Sequence, residues 1–332
     1  MTITTDKKVF VAWAPYSRRG QSLATELGMQ PYLIHHLKFQ RPIYAPFKYV
    51  LQVLHTLALL LKERPRIVVV QDPPIFASLT VCIYTVLVFG QAQFIVDAHT
   101  GALLHPWWKS FQGLQKSIYR RALTVITTNH TLTELVRSWG ADSMALAGPP
   151  INIPPGEAMI LGKTFNLVLI NTFSPDEPLS AALEAVTDRH DMHLYVTGDV
   201  GKAPSSLLEM APANVTFTGF LSDADYLRLL RGADAIMALT DEDFTLQLGG
   251  MEAVAVGKPI ITSDLSFLRE YFNQGTVHVP NTPAGIRQGI IRMQKDIANL
   301  STEILQLRRT HQEEWITKSR HLREIITTGA TG

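Results

Sequence analysis

The chain has 332 residues, 46% of them hydrophobic and 18% charged, which is more than one ordinary domain needs and enough to bury a large core. Its single cysteine, Cys82, excludes an internal disulfide and any cysteine-rich zinc site, and favours a reducing compartment. The net charge of +1 hides a basic half, with 15 Lys+Arg against 7 Asp+Glu in residues 1–150 and 15 against 22 in 151–332; the dispersed basic residues, with no zinc-finger or RNA-binding signature, point to an anionic partner other than nucleic acid.

The opening MTITTDKKVF has no apolar signal core, so cytoplasmic exposure is expected. VFVAWA at 9–14 reads as a strand, and the turn after it, Pro15 to Gly20, leads into a helix. Arg18, Arg19 and Gly20 there suit an anionic ligand at a helix N-terminus, and suit a solvated basic turn equally well. Next comes FKYVLQVLHTLALLL at 47–61, apolar over much of its surface and set among Lys38, Arg41, Lys48, Lys62 and Arg64. Such a helix serves core packing or peripheral docking on the inner face of a membrane.

IVVVQ at 67–71 ends on Asp72-Pro73-Pro74, and no charged residue follows until beyond Val96. The breakers leave about 15 helical residues, ~22 Å against the ~30 Å hydrocarbon core, so a buried crossover helix is predicted rather than a membrane span. FIVDA at 94–98 is the next strand, and Asp97, His99 and His105 gather after it with Trp107 and Trp108. A histidine at a strand's carboxyl end beside an aspartate is a candidate acid or base. TVITT at 124–128 closes this half. Neither a G-x-G-x-x-G turn nor a Walker lysine is present, which disfavours NAD and ATP readings.

AGPPINIPPGEAMILG at 147–162 reads as a linker. Strands resume with FNLVLIN at 165–171, MHLYVTG at 192–198, NVTFTG at 214–219, DAIMAL at 234–239 and KPIITS at 258–263. Short β-branched runs alternating with longer helical stretches imply parallel sheets with helices on both faces. The expected organisation is α/β: a Rossmann-like domain over 1–150, a linker over 151–162, and a second such domain over 163–332 whose last helix packs back on the first. In open α/β sheets ligands bind beyond the carboxyl ends of strands. The richest such place follows DAIMAL: an acidic loop with Glu242 and Asp243, then Thr245, Gln247, Gly249-Gly250, Glu252 and Gly257-Lys258-Pro259. Glycines at a helix start allow close backbone approach, and helix amides hold a diphosphate. Glu252 binds ribose hydroxyls there or simply complements the helix dipole.

Glu252-Ala253, Gly257-Lys258-Pro259 and Ser263-Asp264 resemble the donor site of GT-B glycosyltransferases of family four, whose two doubly wound domains face across a cleft. Glu252 looks like the second glutamate of that family's pair; Phe244 stands eight positions earlier in place of the first. Val70-Gln71-Asp72-Pro73-Pro74 through Asp97-Ala98-His99, with Asp176-Glu177, is similar to the β-mannosyltransferases that extend chitobiosyl-diphosphodolichol. That family's serine-rich donor loop is missing, and Asn171-Thr172-Phe173-Ser174-Pro175 stands where an Arg and a Lys often clasp donor phosphates.

The resemblance implies a metal-independent transferase without a cofactor beyond its nucleotide-sugar donor. The acceptor is lipid-linked or a glycan, with polysaccharide-precursor synthesis as the setting. Donor binding falls to Glu252, Gly249, Gly250, Gln247, Thr245, Asp243, Glu242, Thr172, Gly198 and Lys202. Acceptor binding falls to Arg18, Arg19, Gly20, Asp72 and His105, and catalysis to His99 and Asp97. A nucleotide-sugar epimerase of the same fold and a non-catalytic binding subunit are the alternatives.

Overall fold

A computed structural model of the chain describes residues 7–37, 44–244 and 246–331. It divides into two compact units, one running to Pro149 and resuming at Glu314, the other Pro150–Glu313. Both are doubly wound α/β structures.

In the first unit the strands are β1 (Lys8–Ala12), β2 (Gln30–Leu33), β3 (Ile67–Asp72), β4 (Gln93–Ala98), β5 (Val125–Thr127) and β6 (Ser143–Ala145). They form one parallel sheet in the order β2-β1-β3-β4-β5-β6. The central strand β3, IVVVQD, is buried at every position, as a parallel strand covered on both faces must be. The connections are α1 (Arg18–Glu26), α2 (Ala45–Glu63), α3 (Ile75–Leu87), α4 (Thr100–Leu104), α5 (Pro106–Lys109), α6 (Gln112–Tyr119) and α7 (His130–Ser138). One face of the sheet packs on α2, α3, α6 and α7 through Leu60, Val81, Tyr84, Ile118 and Val136. The apolar stretch 75–87 is thus a crossover helix, and no helix among the described residues is long and apolar enough to cross a membrane.

The second unit holds β7 (Phe165–Leu169), β8 (Met192–Thr197), β9 (Val215–Gly219), β10 (Ala235–Ala238), β11 (Ile260–Ser263) and β12 (Thr276–Val279), in the order β12-β11-β10-β7-β8-β9. Its helices are α8 (Leu179–Val186), α9 (Ser205–Glu209), α10 (Asp223–Gly232), α11 (Leu248–Val256), α12 (Ser266–Tyr271) and the start of α13 (Pro283–Thr331).

One boundary differs from the sequence reading. The proline-rich stretch 151–162 is packed on the second unit: Ile151, Met159 and Leu161 join a core with Leu229 and Leu230, and the Met159 amide donates to the Arg228 carbonyl at 2.8 Å. Composition marked it as a linker because prolines exclude regular structure, yet apolar side chains between them still find a core. At the other end, α13 does not stop with the second unit. Leu322 and Ile326 lie buried with Phe10, Leu23 and Ile95, on the face of the first sheet that α1 also covers.

Candidate functional site

In the first unit the carboxyl ends of β1, β3 and β4 bring Ser17, Arg19, Gln71, Asp72, Asp97 and His99 together. Ser17 caps α1 by accepting from the Gly20 amide and donates to Gln71 Oε1 at 2.6 Å. Asp97 is fully buried. Arg19 reaches it through Nε at 3.1 Å and Nη2 at 2.9 Å, with Nη2 also donating to the Leu146 carbonyl. Burial alone would push this carboxyl up, but the Arg19 guanidinium and His99 hold it well below the ordinary carboxylate range. His99 Nε2 lies 3.3 Å from Asp97 Oδ2, and the ring is about a third exposed.

This arrangement redistributes the roles read from sequence. Asp97 is buried and paired with Arg19, with His99 close by, rather than a base open to an acceptor, and Arg19 is engaged by it rather than offered to an anion. Gly20 faces inward: a Cβ there would come within 2.6 Å of the Phe10 ring, so the glycine serves close packing. Arg18 begins α1, and its side chain lies outside the described residues. His105 is exposed and accepts from the Trp107 amide at 3.2 Å, capping α5.

Asp72 is buried too. Its Oδ2 accepts from Tyr119 Oη at 2.9 Å and Ser78 Oγ at 3.3 Å, while Gln115 binds both Tyr119 Oη and the Ala102 carbonyl. The network ties the end of β3 to α4 and α6 beneath His99, whose amide donates to the Asp72 carbonyl at 2.8 Å. Asp72 therefore supports the loop instead of meeting an acceptor directly. Burial pushes its carboxyl up to about 6, against the two hydrogen bonds and nearby His99. A folded-state value raised above the unfolded one gives a contribution that is complete below about pH 4 and is lost as pH rises through 6. Asp72→Asn, whose amide mimics the protonated acid, is accordingly expected to raise stability at pH 8, by an amount on the order of 1–3 kcal/mol, and to lose that advantage at pH 4. Thermal unfolding at the two pH values checks it.

The second unit contains a pocket of about 490 Å³ at the carboxyl ends of β7, β8, β9 and β10. Glu252, in the second turn of α11, lines it together with Gln247, Gly249, Thr172 and Gly198. Glu252 Oε2 accepts from Tyr226 Oη at 2.6 Å. Burial and then the glutamate push the tyrosine hydroxyl far up, so it stays a donor. The start of α11 has no side-chain cap among the described residues, because Gln247 turns away and accepts from Thr262 Oγ1 at 3.0 Å. Its first-turn amides are the group a bound anion would satisfy.

Glu177 gathers the loop after β7, accepting from the Thr172 amide at 2.7 Å, its hydroxyl at 3.1 Å and the Ser174 amide at 3.0 Å. Asp176 accepts from Thr240 Oγ1 at 2.8 Å, joining that loop to the one after β10. Among the described residues the pocket's ionisable lining is Asp176, Glu177, Asp223, Glu252 and Tyr226, with no Lys or Arg.

Four residues assigned to donor binding from sequence do not line this pocket. Gly250 is buried under Phe272, whose ring would lie 2.5 Å from a Cβ there. Asp243 accepts from Ser266 Oγ and the Phe267 amide and so holds the start of α12. Glu242 is exposed on the neighbouring loop, and Lys202 is exposed in the turn Val200–Lys202. Thr245 lies outside the described residues. The participants the sequence reading overlooked are Tyr226 and Phe220, the latter 87% exposed at the pocket's edge. Among the described residues no group of three or more His, Cys, Asp or Glu is placed to hold a metal ion.

Residues 176–307 match the family model described as "Glycosyl transferases group 1", a segment that carries most of the pocket and less than half of the chain. A search of curated proteins finds no match. Among solved structures, a glycosyltransferase from Rickettsia africae is similar at a TM-score of 0.72 and 14% identity, over 98% of this chain and 99% of that one. Sucrose-phosphate synthase from Thermosynechococcus elongatus gives 0.71 and 12%, over 97% and 98%. Anabaena HepE, solved with UDP and glucose, gives 0.67 and 11%, over 97% and 100%. At such identities likeness speaks for architecture, and the architecture is the GT-B fold: two Rossmann-like α/β units, each built on a six-stranded parallel sheet.

Proposed function

We propose that the chain is a glycosyltransferase that binds a nucleotide sugar in the second unit and transfers the sugar to a lipid-linked or polysaccharide-precursor acceptor. One observation carries the donor assignment: Glu252 stands in the pocket wall, beside the uncapped start of α11, within the segment that matches the glycosyltransferase family model. A carboxylate there accepts from the ribose hydroxyls, while the free helix amides take the diphosphate. The HepE complex with UDP and glucose, a protein of the same fold, supports a uridine nucleotide as the first ligand to try.

The acidic lining has a consequence. With no lysine or arginine among the described residues of the wall, the donor phosphates depend on main-chain dipoles, which hold charge without a counter-ion of their own. His99, about a third exposed and beside Asp97, is the group to accept or donate a proton at the acceptor hydroxyl.

Calorimetric titration with UDP and UDP-glucose tests the reading. Glu252→Gln keeps the shape and removes the charge, so the dissociation constant is expected to rise roughly ten- to hundredfold, in line with ~1.5–3 kcal/mol for a hydrogen bond to a charged group. An unchanged constant would leave Glu252 as a partner of Tyr226 and nothing more. Incubating the protein with labelled nucleotide sugars, with and without membrane lipid extract, then separates transfer to an acceptor from release of a free epimerised sugar.

A further inference from the structure

The polarity of α2 is inverted along much of its length. Its fully buried positions are Gln52, Thr56 and Leu60, and two of the three are polar: Gln52 Nε2 donates to the Ile34 carbonyl at 3.1 Å, and Thr56 Oγ1 accepts from Trp13 Nε1 at 2.9 Å. Tyr49, Val53 and Leu57 pack on the core from its flanks. The outward stripe, at spacings of three and four, is Phe47, Val50, Leu51, Leu54, Ala58 and Leu61. Phe47, Val50 and Leu54 are 69%, 57% and 59% exposed. Beside it α3, which packs against α2, exposes Ile83, Val86 and Leu87, and Phe89 follows at 91%. A patch of this kind is not left to water without a reason.

We infer that this outer face of α2, with the end of α3, docks on an anionic lipid bilayer. The charges select that occupant. Lys48, Lys62 and Arg64 punctuate the helix, Arg66 follows, and the one acid in the segment, Glu63, is paired with Lys7. From Pro73 to Val96 there is no charge at all. An apolar stripe bordered by cations is the pattern of a helix lying in the interface plane, its stems buried and its ammonium groups among headgroup phosphates. A second copy of the chain docked here about a two-fold axis would bring the basic borders of two identical patches together, which like charges resist. The inference rests on this face alone and stands apart from the transfer reading, although a surface-bound protein would meet a lipid-linked acceptor where it docks.

Sedimentation of the full chain with vesicles decides it. Vesicles of phosphatidylcholine with phosphatidylglycerol should bind the protein, pure phosphatidylcholine far less, and salt should release it, since the attraction is screened over ~8 Å at physiological ionic strength. Lys48→Gln with Lys62→Gln should lower partitioning roughly thirtyfold, about fivefold for each charge near the surface. Phe47→Ser with Leu54→Ser should lower it at least ~10-fold through lost apolar insertion. Because all four side chains lie off the fully buried face, thermal melts and UDP titration of these variants should match the wild type and show that the fold is kept. Failure of the wild type to bind anionic vesicles at low salt overturns the proposal. So does normal binding by the Phe47→Ser/Leu54→Ser variant, or a wild-type dimer that ignores vesicles and dissociates on Leu54→Ser. The nucleotide titration is read independently, so failure of docking and failure of the donor assignment are told apart.

Discussion

Replacing Arg19 with methionine is expected to destabilise the first unit by about 3–5 kcal/mol, the usual cost of stranding one member of a buried ion pair. Methionine keeps the length of the stem and removes the guanidinium, so Asp97 would face the interior with only His99 at 3.3 Å beside it. The Leu146 carbonyl loses a donor as well. The pH dependence distinguishes this cause from lost packing. In the wild type the Asp97 value is depressed, so its contribution is present above the unfolded value of about 3.9 and is lost only as pH falls through the lower folded value. Without Arg19 burial dominates and the sign reverses. The deficit of Arg19→Met should therefore be greatest near pH 7 and shrink towards pH 4, where the carboxyl takes up a proton. Urea unfolding at both pH values measures it. Adding Asp97→Leu should return much of the loss, because removing both charges leaves no stranded group. A deficit that is flat with pH would mean that the stem, and not the charge, matters.

The second large effect is on turnover. On the transfer reading, His99→Ala should lower kcat by about 10²–10⁴-fold, the typical contribution of a placed acid or base. The nucleotide-sugar dissociation constant should stay put, since His99 belongs to the first unit and the pocket residues all belong to the second. The substitution spares α4: His99 precedes that helix, but its side chain makes no capping bond to it. Single-turnover rates and calorimetry on one preparation supply both numbers. Normal turnover in His99→Ala would remove this residue from the chemistry and leave the Asp97 pair as scaffold.

The strands legible in the sequence were those whose apolar runs cross the middle of a sheet, together with β9. The strands that escaped are β2, β6 and β12, each at a sheet edge. QPYL, SMA and TVHV are short and only partly buried, so no apolar run announces them. The site divides similarly. Gln247, Gly249 and Glu252 fall within six residues of one another, and a local motif carries them. Tyr226 reaches Glu252 from 26 residues away, and Arg19 reaches Asp97 from 78; such pairings are products of the fold and leave no mark on spacing. Hence Asp97 reads as an open carboxylate in sequence and is a closed one in space. The stretch 47–61 stayed ambiguous for a different reason. With Gln52 and Thr56 buried and Phe47 and Leu54 outside, hydropathy says nothing about which side faces the core.

Helix α13 finally bears on how the chain is made. The segment that completes the core around Phe10, Leu23 and Ile95 includes Leu322 and Ile326, so more than 150 intervening residues are synthesised before that core can close. A nascent chain extends residue by residue, and N-terminal domains usually fold as they emerge. The second unit is contiguous from Pro150 to Glu313, whereas the sheet face of the first unit that α1 partly covers also draws Leu322 and Ile326 from the far end of α13. Until the stretch with Leu322 and Ile326 has been made, the apolar residues that it covers in the finished fold lack that cover.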